Sequence, residues 1–285
     1  MEKPVTAQGQ LPKHFSFEFS APKSDEAIAK LDKIHDKLSE LNPHFFSVTY
    51  GAGGSTRDGT KQAVMQIQKK GSSVAPHLSF GGDSPDKIES LISDYKDAGV
   101  NRVVALRGDV PSGTAGSGKI AYASELVRFI REKTGEHFHI EVAAYPEVHP
   151  DSRHVESDLR YFKEKVEAGA NSAITQYFYN PEAYFRFIDQ CEKIDINIPI
   201  VPGIMPITGF RNLVRFSDNC GADIPRWIRQ HLESYEDDPE ALKAFGEEVV
   251  TRLCEQLLAG GAPGLHFYTL NQSLPTIKLW RNLGL

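Results

Sequence analysis

The chain has 285 residues, of which 40% are hydrophobic and 25% are charged, so it is long enough to bury a sizeable core. This composition excludes disordered and fibrous proteins, and the formal net charge of −6 counts against a nucleic-acid-binding protein. No apolar run reaches the roughly 18 residues of a membrane span, and residues 1–13 lack the apolar core of a signal peptide. Three widely spaced cysteines without a Cys-x-x-Cys pair predict reduced thiols in a cytoplasmic protein and no metal site.

Eight short segments rich in β-branched and aromatic residues are predicted to be strands. They cover residues 14–20, 45–50, 73–80, 102–108, 139–145, 172–178, 199–205 and 265–270. Helical patterns lie between them, and capping side chains start four of these helices: Ser24, Ser84, Asn180 and Asp238. Two helices end in Gly99 and Gly169 just before a strand, where glycine adopts the left-handed conformation at little cost.

Connections of this length imply parallel pairing between successive strands. Eight strand–helix units in 285 residues therefore predict an α/β fold of the (β/α)8, TIM-barrel type, as a single domain over residues 1–285. A doubly wound open sheet is the alternative. Two helical patterns, at 225–233 and 239–259, precede the final strand, so we expect an extra helix before it. Residues 1–12 are predicted to be flexible.

Polar residues follow nearly every predicted strand, at the end where barrels of this type carry their chemistry. They are Glu18, Thr49, Tyr50, His77, Arg107, Asp109, Tyr145, His149, Gln176 and the segment 268–271. A purely structural barrel does not need such groups on so many strands. The pattern therefore predicts a large polar ligand that is held from many sides.

Glu18 stands between Phe17 and Phe19, and strand alternation places it on the face opposite the two aromatic rings. It is either a paired or solvated barrel glutamate or a general acid whose pKa is raised by partial burial. The glycine-rich segment 51–55 is neither a Walker motif nor a dinucleotide fingerprint, and it is a weak signal for a phosphate or cofactor contact. Asp158, Tyr161 and Lys165 share one helical face, which by itself indicates a solvated surface.

These motifs together resemble methylenetetrahydrofolate reductase of the short bacterial type, without a regulatory domain. The resemblance runs from about residue 14 to the C-terminus, and its specificity comes from the joint order of the motifs. They are Phe17–Phe19, Thr49–Gly51, Ala75–His77, Ala105–Asp109, Tyr122–Ala123, Ala143–Pro150, Lys165–Ala170, Ala173–Gln176, Pro202–Gly203 with Pro206, and His266–Asn271.

The resemblance implies a barrel that binds FAD non-covalently and reduces 5,10-methylenetetrahydrofolate to 5-methyltetrahydrofolate with NADH or NADPH, in methionine supply. It also implies a homo-oligomer. The residues that it assigns to the flavin are Thr49, Tyr50, Ala52, His77, Arg107, Gly108, Asp109, Tyr122, Ala123, Tyr145, His149, Asp158 and Lys165.

Carried over in the same way, Glu18 is the proton donor, and Asp109 acts near both the pterin and the flavin. Gln176 contacts the pterin, and Phe216 is the aromatic residue that stacks over folate and nicotinamide. Two positions depart from the family pattern. Asn212 stands where glutamine is common, and Gln272 stands where an arginine often meets folate, with Lys278 or Arg281 as candidate sources of the missing charge.

Two other functions remain open from the residues alone. A flavin-free pterin or aldolase-type barrel enzyme would use the same acids at the strand ends. A non-catalytic folate-binding barrel would bind folate without oxidising NADH or NADPH. A visible spectrum of the purified protein distinguishes both from a flavoprotein reductase.

Overall fold

The computed structural model describes residues 7–51, 56–80, 84–108 and 122–285. Within these residues it contains nine strands, ten α-helices and a short 3-10 helix, Ala7–Gln10. The strands are β1 His14–Phe19, β2 Phe45–Val48, β3 Val74–Ser79, β4 Arg102–Leu106, β5 His139–Ala144, β6 Ser172–Thr175, β7 Ile200–Val201, β8 Gly203–Ile204 and β9 Gly264–Tyr268. The helices are α1 Asp25–Ser39, α2 Arg57–Lys69, α3 Pro85–Asp97, α4 Ala123–Thr134, α5 Val155–Glu167, α6 Pro181–Glu192, α7 Phe210–Cys220, α8 Arg226–Ser234, α9 Pro239–Ala259 and α10 Ser273–Asn282.

The strands form one sheet in the order β7-β6-β5-β4-β3-β2-β1-β9-β8. Neighbours such as β1 and β2, β3 and β4, and β8 and β9 pair in parallel. The two ends of this order, β7 and β8, are consecutive pieces of one stretch of chain, 200–204. Strands and helices alternate along the chain, and the fold is of the TIM-barrel type. The prediction of an α/β barrel is confirmed, and the open doubly wound sheet is wrong.

The seventh predicted strand, 199–205, is broken at Pro202. Proline has no backbone N–H to donate to a sheet ladder, although its carbonyl still accepts a hydrogen bond from the His266 backbone N at 3.0 Å. The described residues therefore contain nine strands where the sequence predicts eight. The other predicted strands are one to three residues too long, mostly at the carboxyl end, because the chain leaves the ladder there to enter loops.

Most predicted helix starts are confirmed at the level of the capping bond. Ser24 accepts a hydrogen bond from the Ala27 backbone, and Asn180 and Asp238 cap α6 and α9 in the same way. Ser84 begins α3 ahead of Pro85, but its side chain makes no capping bond. Gly99 and Gly169 take φ values of 79° and 112°, as predicted for glycines that end helices.

The stretch before the final strand contains α8 and α9, so the predicted extra helix is confirmed. The flexible segment over 1–12 stays a prediction. The buried Gln8 side chain donates to the Ile198 carbonyl at 3.0 Å and accepts from the Ile200 backbone N at 2.9 Å. These two bonds hold the 3-10 helix beside β7.

The described chain divides into two compact units, and each is taken by itself below. The N-terminal unit comprises 16–143 and 161–173, and the C-terminal unit comprises the remaining described residues. Phe17, Phe19 and Phe46 are buried in the N-terminal unit, where the rings of Phe19 and Phe46 stack at 5.3 Å. The single domain over 1–285 stays a prediction. None of the helices described is long and apolar enough to cross a membrane.

Gly203 is fixed by a close approach within the C-terminal unit. Its backbone N donates to the Thr175 hydroxyl at 2.9 Å, and the Tyr268 hydroxyl donates to the Thr175 carbonyl at 2.6 Å. A Cβ at position 203 would lie 2.2 Å from that carbonyl oxygen. Any side chain here would therefore collide with backbone.

Candidate functional site

Glu18, His77 and Ser47 meet in the N-terminal unit on three neighbouring strands. Glu18 is in register with Ser47, whose hydroxyl donates to the Glu18 carboxylate at 3.5 Å. His77 Nε2 lies 3.3 Å from the same carboxylate oxygen. Strand alternation explains this placement, because Phe17 and Phe19 pack on Phe46 and leave Glu18 to the opposite face. The Glu18 side chain is 16% exposed, so solvent still reaches it.

His77 offers a polar atom suited to a ligand. Its Nε2 is buried and has no hydrogen-bond partner among the described residues, because the 3.3 Å approach to Glu18 lacks hydrogen-bond geometry. Buried polar nitrogens in folded proteins are nearly always hydrogen-bonded. An unsatisfied nitrogen at the carboxyl end of a barrel strand is what a site for a polar cofactor such as FAD would contain.

The segment after β2 is held by its own hydrogen bonds. Thr49 Oγ1 accepts from the Ala21 backbone N at 3.1 Å, so this side chain ties the β1–α1 loop to β2. The Gly51 backbone N donates to Thr56 Oγ1 at 2.7 Å, and Tyr50 between them is half-buried. Ala52, also assigned to the flavin, lies outside the described residues.

Arg107 and Gly108 follow β4 directly. The Arg107 side chain is exposed, and Gly108 adopts a φ of 79°, which favours glycine. Asp109, the second predicted catalytic residue, lies outside the described residues. The structure therefore brings Glu18 and His77 together but gives no position for Asp109.

Tyr122 forms an exposed aromatic surface at the start of α4, just ahead of Ala123. Its ring stacks on Tyr161 of α5 with centroids 5.4 Å apart, and 47% of the residue is exposed. Lys165, one turn further along α5, donates from Nζ to the Ala143 carbonyl of β5 at 2.5 Å. Lys165 thus contacts β5, the strand that precedes its helix. This helix face therefore does more than face solvent.

In the C-terminal unit, Tyr145 and His149 face each other edge-on with ring centroids 4.5 Å apart. His149 Nδ1 accepts from the Asp151 backbone N at 3.0 Å, so the proton of the neutral ring lies on Nε2. Val148, which stands between these two residues in the sequence, has a φ of 70°, an uncommon backbone conformation for a β-branched residue. Strain of this kind clusters at functional sites.

Asp158 shapes the loop that carries His149. One of its carboxylate oxygens accepts from the His149 backbone N at 3.1 Å, and the other accepts from the Ser152 hydroxyl at 3.2 Å. Both oxygens therefore contact the protein itself. Asp158 therefore holds the loop that carries His149, and its contact with the flavin stays a prediction.

Two residues that the resemblance assigns to the substrate lie in this unit. Gln176 directly follows β6, and Phe216 lies on α7. Gln176 Oε1 accepts from the Tyr177 backbone N at 3.0 Å. Phe216 is half-buried, and the Arg215 guanidinium lies 5.2 Å from its ring centroid. Arg215 also reaches Asn212 Oδ1 at 3.3 Å, so Asn212 contributes to holding this cation beside the ring.

Gln272 is exposed at the start of α10 and makes no capping bond with its side chain. It follows Leu270 and Asn271, which both adopt positive φ values, 50° and 54°. The expectation that Lys278 or Arg281 partly supplies the missing charge to folate stays a prediction. At about 1.5 Å rise per residue they lie roughly 9 Å and 14 Å from Gln272 along α10, and Lys278 is paired with Glu247 at 3.1 Å.

Sequence reasoning missed two groups of polar residues. Glu147, in the 145–150 loop, accepts from the Asp223 backbone N at 2.9 Å. Glu141 of β5 is buried against Arg102 and Ser172, which come from the neighbouring strands β4 and β6. Glu147 stands inside a quoted motif, but neither group has a local signal, because the partners lie 31 to 76 residues away along the chain.

Comparisons with known proteins agree with these motifs. The family model of methylenetetrahydrofolate reductase matches residues 5–284. The chain is 40% identical over 279 residues to 5,10-methylenetetrahydrofolate reductase of Escherichia coli (strain K12), covering 97% of this chain and 92% of that protein. It is 43% identical over 271 residues to the enzyme of the same name from Buchnera aphidicola subsp. Schizaphis graminum, covering 95% and 91%.

Among solved structures, a Clostridium thermocellum protein described as binding two copies of 5-methyl-5,6,7,8-tetrahydrofolic acid is similar in fold. Its TM-score is 0.66 at 18% identity, and the match covers 97% of this chain and 95% of that one. At this identity the likeness concerns the fold alone.

Proposed function

Because the chain belongs to the methylenetetrahydrofolate reductase family, we propose that it reduces 5,10-methylenetetrahydrofolate to 5-methyltetrahydrofolate with FAD and NADH or NADPH. The observation that carries the proposal is the family match over residues 5–284, together with 40% identity to a bacterial enzyme of that name along nearly its whole length.

The residues present fit the flavin. In the N-terminal unit, the buried His77 Nε2 without a hydrogen-bond partner and the exposed Tyr122 ring stacked on Tyr161 are suited to polar and aromatic contacts with it. In the C-terminal unit, taken by itself, the paired rings of Tyr145 and His149 are suited to the same kind of contact. Bound FAD would supply the two-electron chemistry, taking a hydride from the nicotinamide and giving one to the folate. The protein supplies binding, orientation and proton transfer.

Glu18 is the acid in this proposal. Opening of the five-membered ring of the substrate to its iminium form requires a proton on the departing nitrogen, and we assign Glu18 to donate it. The Ser47 hydroxyl orients that carboxyl group by donating to it at 3.5 Å, and His77 Nε2 lies 3.3 Å from the same oxygen. Partial exposure of Glu18 lets solvent return the proton after each turnover.

Asp109 is assigned the electrostatic role. A carboxylate near the pterin stabilises a cationic iminium, and near the flavin it opposes negative charge on the reduced ring. Gln176, Phe216 and Gln272 are assigned to the folate, and Phe216 also to the nicotinamide. If both donor and acceptor stack on one residue they exclude each other, which gives ping-pong kinetics.

The remaining parts of the proposal follow from the family. We infer a role in methionine supply, a cytoplasmic location and a homo-oligomer. Sedimentation velocity measures the last of these directly, and a monomer across the working concentration range would contradict it.

A visible spectrum of the purified protein tests the cofactor first. We expect a flavin band in the blue, bleached by anaerobic NADH or NADPH and restored by 5,10-methylenetetrahydrofolate. The two nicotinamides, tried separately, give the preferred donor. A colourless protein that takes up no FAD on reconstitution would refute the reductase proposal and leave the flavin-free alternatives.

A further inference from the structure

We propose that Glu147 is a positioning residue, which holds helix α7 against the loop 145–150 and so sets Phe216 for its substrates. The proposal concerns contacts within the C-terminal unit, and its functional part rests on the proposed function, because the role of Phe216 does.

Helix α7 has a thin buried face. Of its eleven residues, only Leu213 and Ser217 are buried. Ser217 Oγ lies 3.0 Å from the Tyr177 hydroxyl, and burial raises the pKa of that tyrosine, so the pair is a neutral hydrogen bond. One leucine and one hydroxyl pair give the helix little apolar anchoring on their own.

Two contacts with the 145–150 loop complete the attachment at the end of α7. Glu147 Oε2 accepts from the Asp223 backbone N at 2.9 Å, three residues beyond the helix. Pro150 packs on Gly221, where a Cβ would lie only 2.8 Å from Pro150 Cγ. Gly221 takes a φ of 73° as the helix ends, so its backbone is shaped for this approach.

The loop side of the contact is strained in a way that such contacts can maintain. Val148 holds its φ of 70° between Glu147 and His149. A β-branched residue stays in this region only where its neighbours over-determine the backbone. Pro150 packs on Gly221, and the Asp158 carboxylate accepts from the His149 backbone N at 3.1 Å, so the part of the loop that carries His149 is held without Glu147.

Several neighbouring groups act on the charge of Glu147. Burial raises the pKa of Glu147, and the bond from the Asp223 backbone opposes the shift. The Asp223 carboxylate also raises that pKa, whereas Arg186 of α6 lowers it. A glutamine would keep an acceptor oxygen for the Asp223 N–H without any charge, which separates the hydrogen bond from the charge experimentally.

The consequence is a link between two parts of the proposed site. The loop carries Tyr145 and His149, which the proposal assigns to the flavin, and α7 carries Phe216, which it assigns to folate and nicotinamide. Glu147 joins them through one hydrogen bond. Its loss should therefore weaken substrate binding and leave FAD binding intact.

Three variants test the proposal on the full-length holoenzyme: Glu147→Ala, Glu147→Gln and, as a matched control, Asp218→Ala. Asp218 is an exposed acid on α7 itself. We expect Glu147→Ala to raise the KM for folate roughly tenfold, the scale of one hydrogen bond to a charged group, with a smaller change in kcat. Glu147→Gln should restore most of this loss, and Asp218→Ala should match the wild type.

Two further measurements do not depend on turnover. Fluorescence titration should give the same FAD Kd for Glu147→Ala and the wild type. Hydrogen–deuterium exchange should be faster over residues 210–221 in Glu147→Ala, with α1 unchanged as an internal reference. Unchanged exchange in α7, or equal losses of kcat and FAD affinity without a change in folate KM, would overturn the proposal. A wild type that reduces no folate would refute the proposed function, and the exchange data would still decide whether Glu147 holds α7.

Discussion

At the scale of single residues, Glu18 carries the sharpest prediction. Glu18→Gln keeps the size and polarity of the side chain but cannot act as an acid. We expect FAD binding and flavin reduction by NADH or NADPH to persist, while the folate half-reaction slows about 10²–10⁴-fold. Anaerobic stopped-flow measurement of the two half-reactions separates the effects.

The control is Glu136→Gln, which removes a carboxylate whose side chain is 85% exposed. It should leave both half-reactions unchanged. Equal slowing of both half-reactions in Glu18→Gln would show that Glu18 acts on the flavin or the fold and not as the proton donor.

Gln272 tests how the folate is held. An exposed glutamine can hydrogen-bond an amide or carboxylate, whereas arginine would offer a charged, forked donor. We expect Gln272→Ala to raise the folate KM several-fold with flavin reduction nearly unchanged, and Gln272→Arg to lower it. Steady-state assays with each substrate varied decide this.

Lys278→Ala is the companion variant, because Lys278 is paired with Glu247 on α9. Its folate KM should equal that of the wild type. If Gln272→Ala also left the folate KM in place, the position would have no part in folate binding.

At the scale of elements, a buried carboxylate joins three strands of the N-terminal unit. Burial alone would raise the pKa of Glu141, but hydrogen bonds from His139 and Ser172 and the charge of Arg102 outweigh it and hold that pKa at about 2. His139 Nε2 lies 3.4 Å from this carboxylate. All three partners stand at the first position of their strands, so the cluster lies at the amino ends, away from the predicted chemistry.

This cluster predicts a pH dependence of stability. A carboxyl group whose pKa is lowered on folding stabilises the protein above its unfolded pKa of about 4.5, and the contribution is lost as the pH falls towards 2. The contribution is on the order of 3 kcal/mol. Urea denaturation of Glu141→Gln and the wild type at pH 7 and pH 3 should show a difference that shrinks with acid. A difference that is the same at both pH values would contradict this origin.

Arg102, the cation that pairs with Glu141, gives an independent prediction. Arg102→Met leaves a buried carboxylate without its cation and should lower the free energy of unfolding by about 3–5 kcal/mol. The double variant Arg102→Met/Glu141→Gln should recover part of this loss, because no buried charge remains. The same denaturation assay measures both, and a double variant less stable than Arg102→Met would contradict the pairing.

Local signals in the sequence were enough to predict most elements. Ser24, Asn180 and Asp238 begin helices because a short polar side chain satisfies backbone N–H groups within three residues of itself. The break at Pro202 was also readable, because proline cannot donate to a ladder. The Glu141 cluster and the Glu147 contact could not be read, since they depend on which distant strands become neighbours. The same holds for the candidate site. Strand alternation was enough to predict the face on which Glu18 lies, but its 3.3 Å contact with His77 depends on the register of β1, β2 and β3.

At the scale of the whole molecule, FAD should stabilise the fold. A ligand that binds only the native state at 100 times its Kd adds about 2.7 kcal/mol to the free energy of unfolding. For a chain of this size we expect a rise in Tm of roughly 5 °C over the flavin-free protein. Differential scanning calorimetry of apoprotein with and without FAD measures it, and riboflavin, which lacks the adenosine diphosphate half, serves as control. No shift with FAD at saturating concentration would count against a flavin site.

Gly203 has a consequence for how this sequence can evolve. A Cβ would strike the backbone carbonyl oxygen of Thr175 at 2.2 Å, as well as the Tyr268 ring at 2.6 Å. Because the Thr175 carbonyl belongs to the backbone, replacing a neighbouring side chain by a smaller one cannot make room for a larger residue at 203. A second, compensating substitution should therefore not rescue a substitution of Gly203. Descendants of this chain are expected to keep glycine at 203 unless an insertion or deletion first shifts the backbone path around β6 and β8. We therefore expect that no single substitution at position 203 is tolerated.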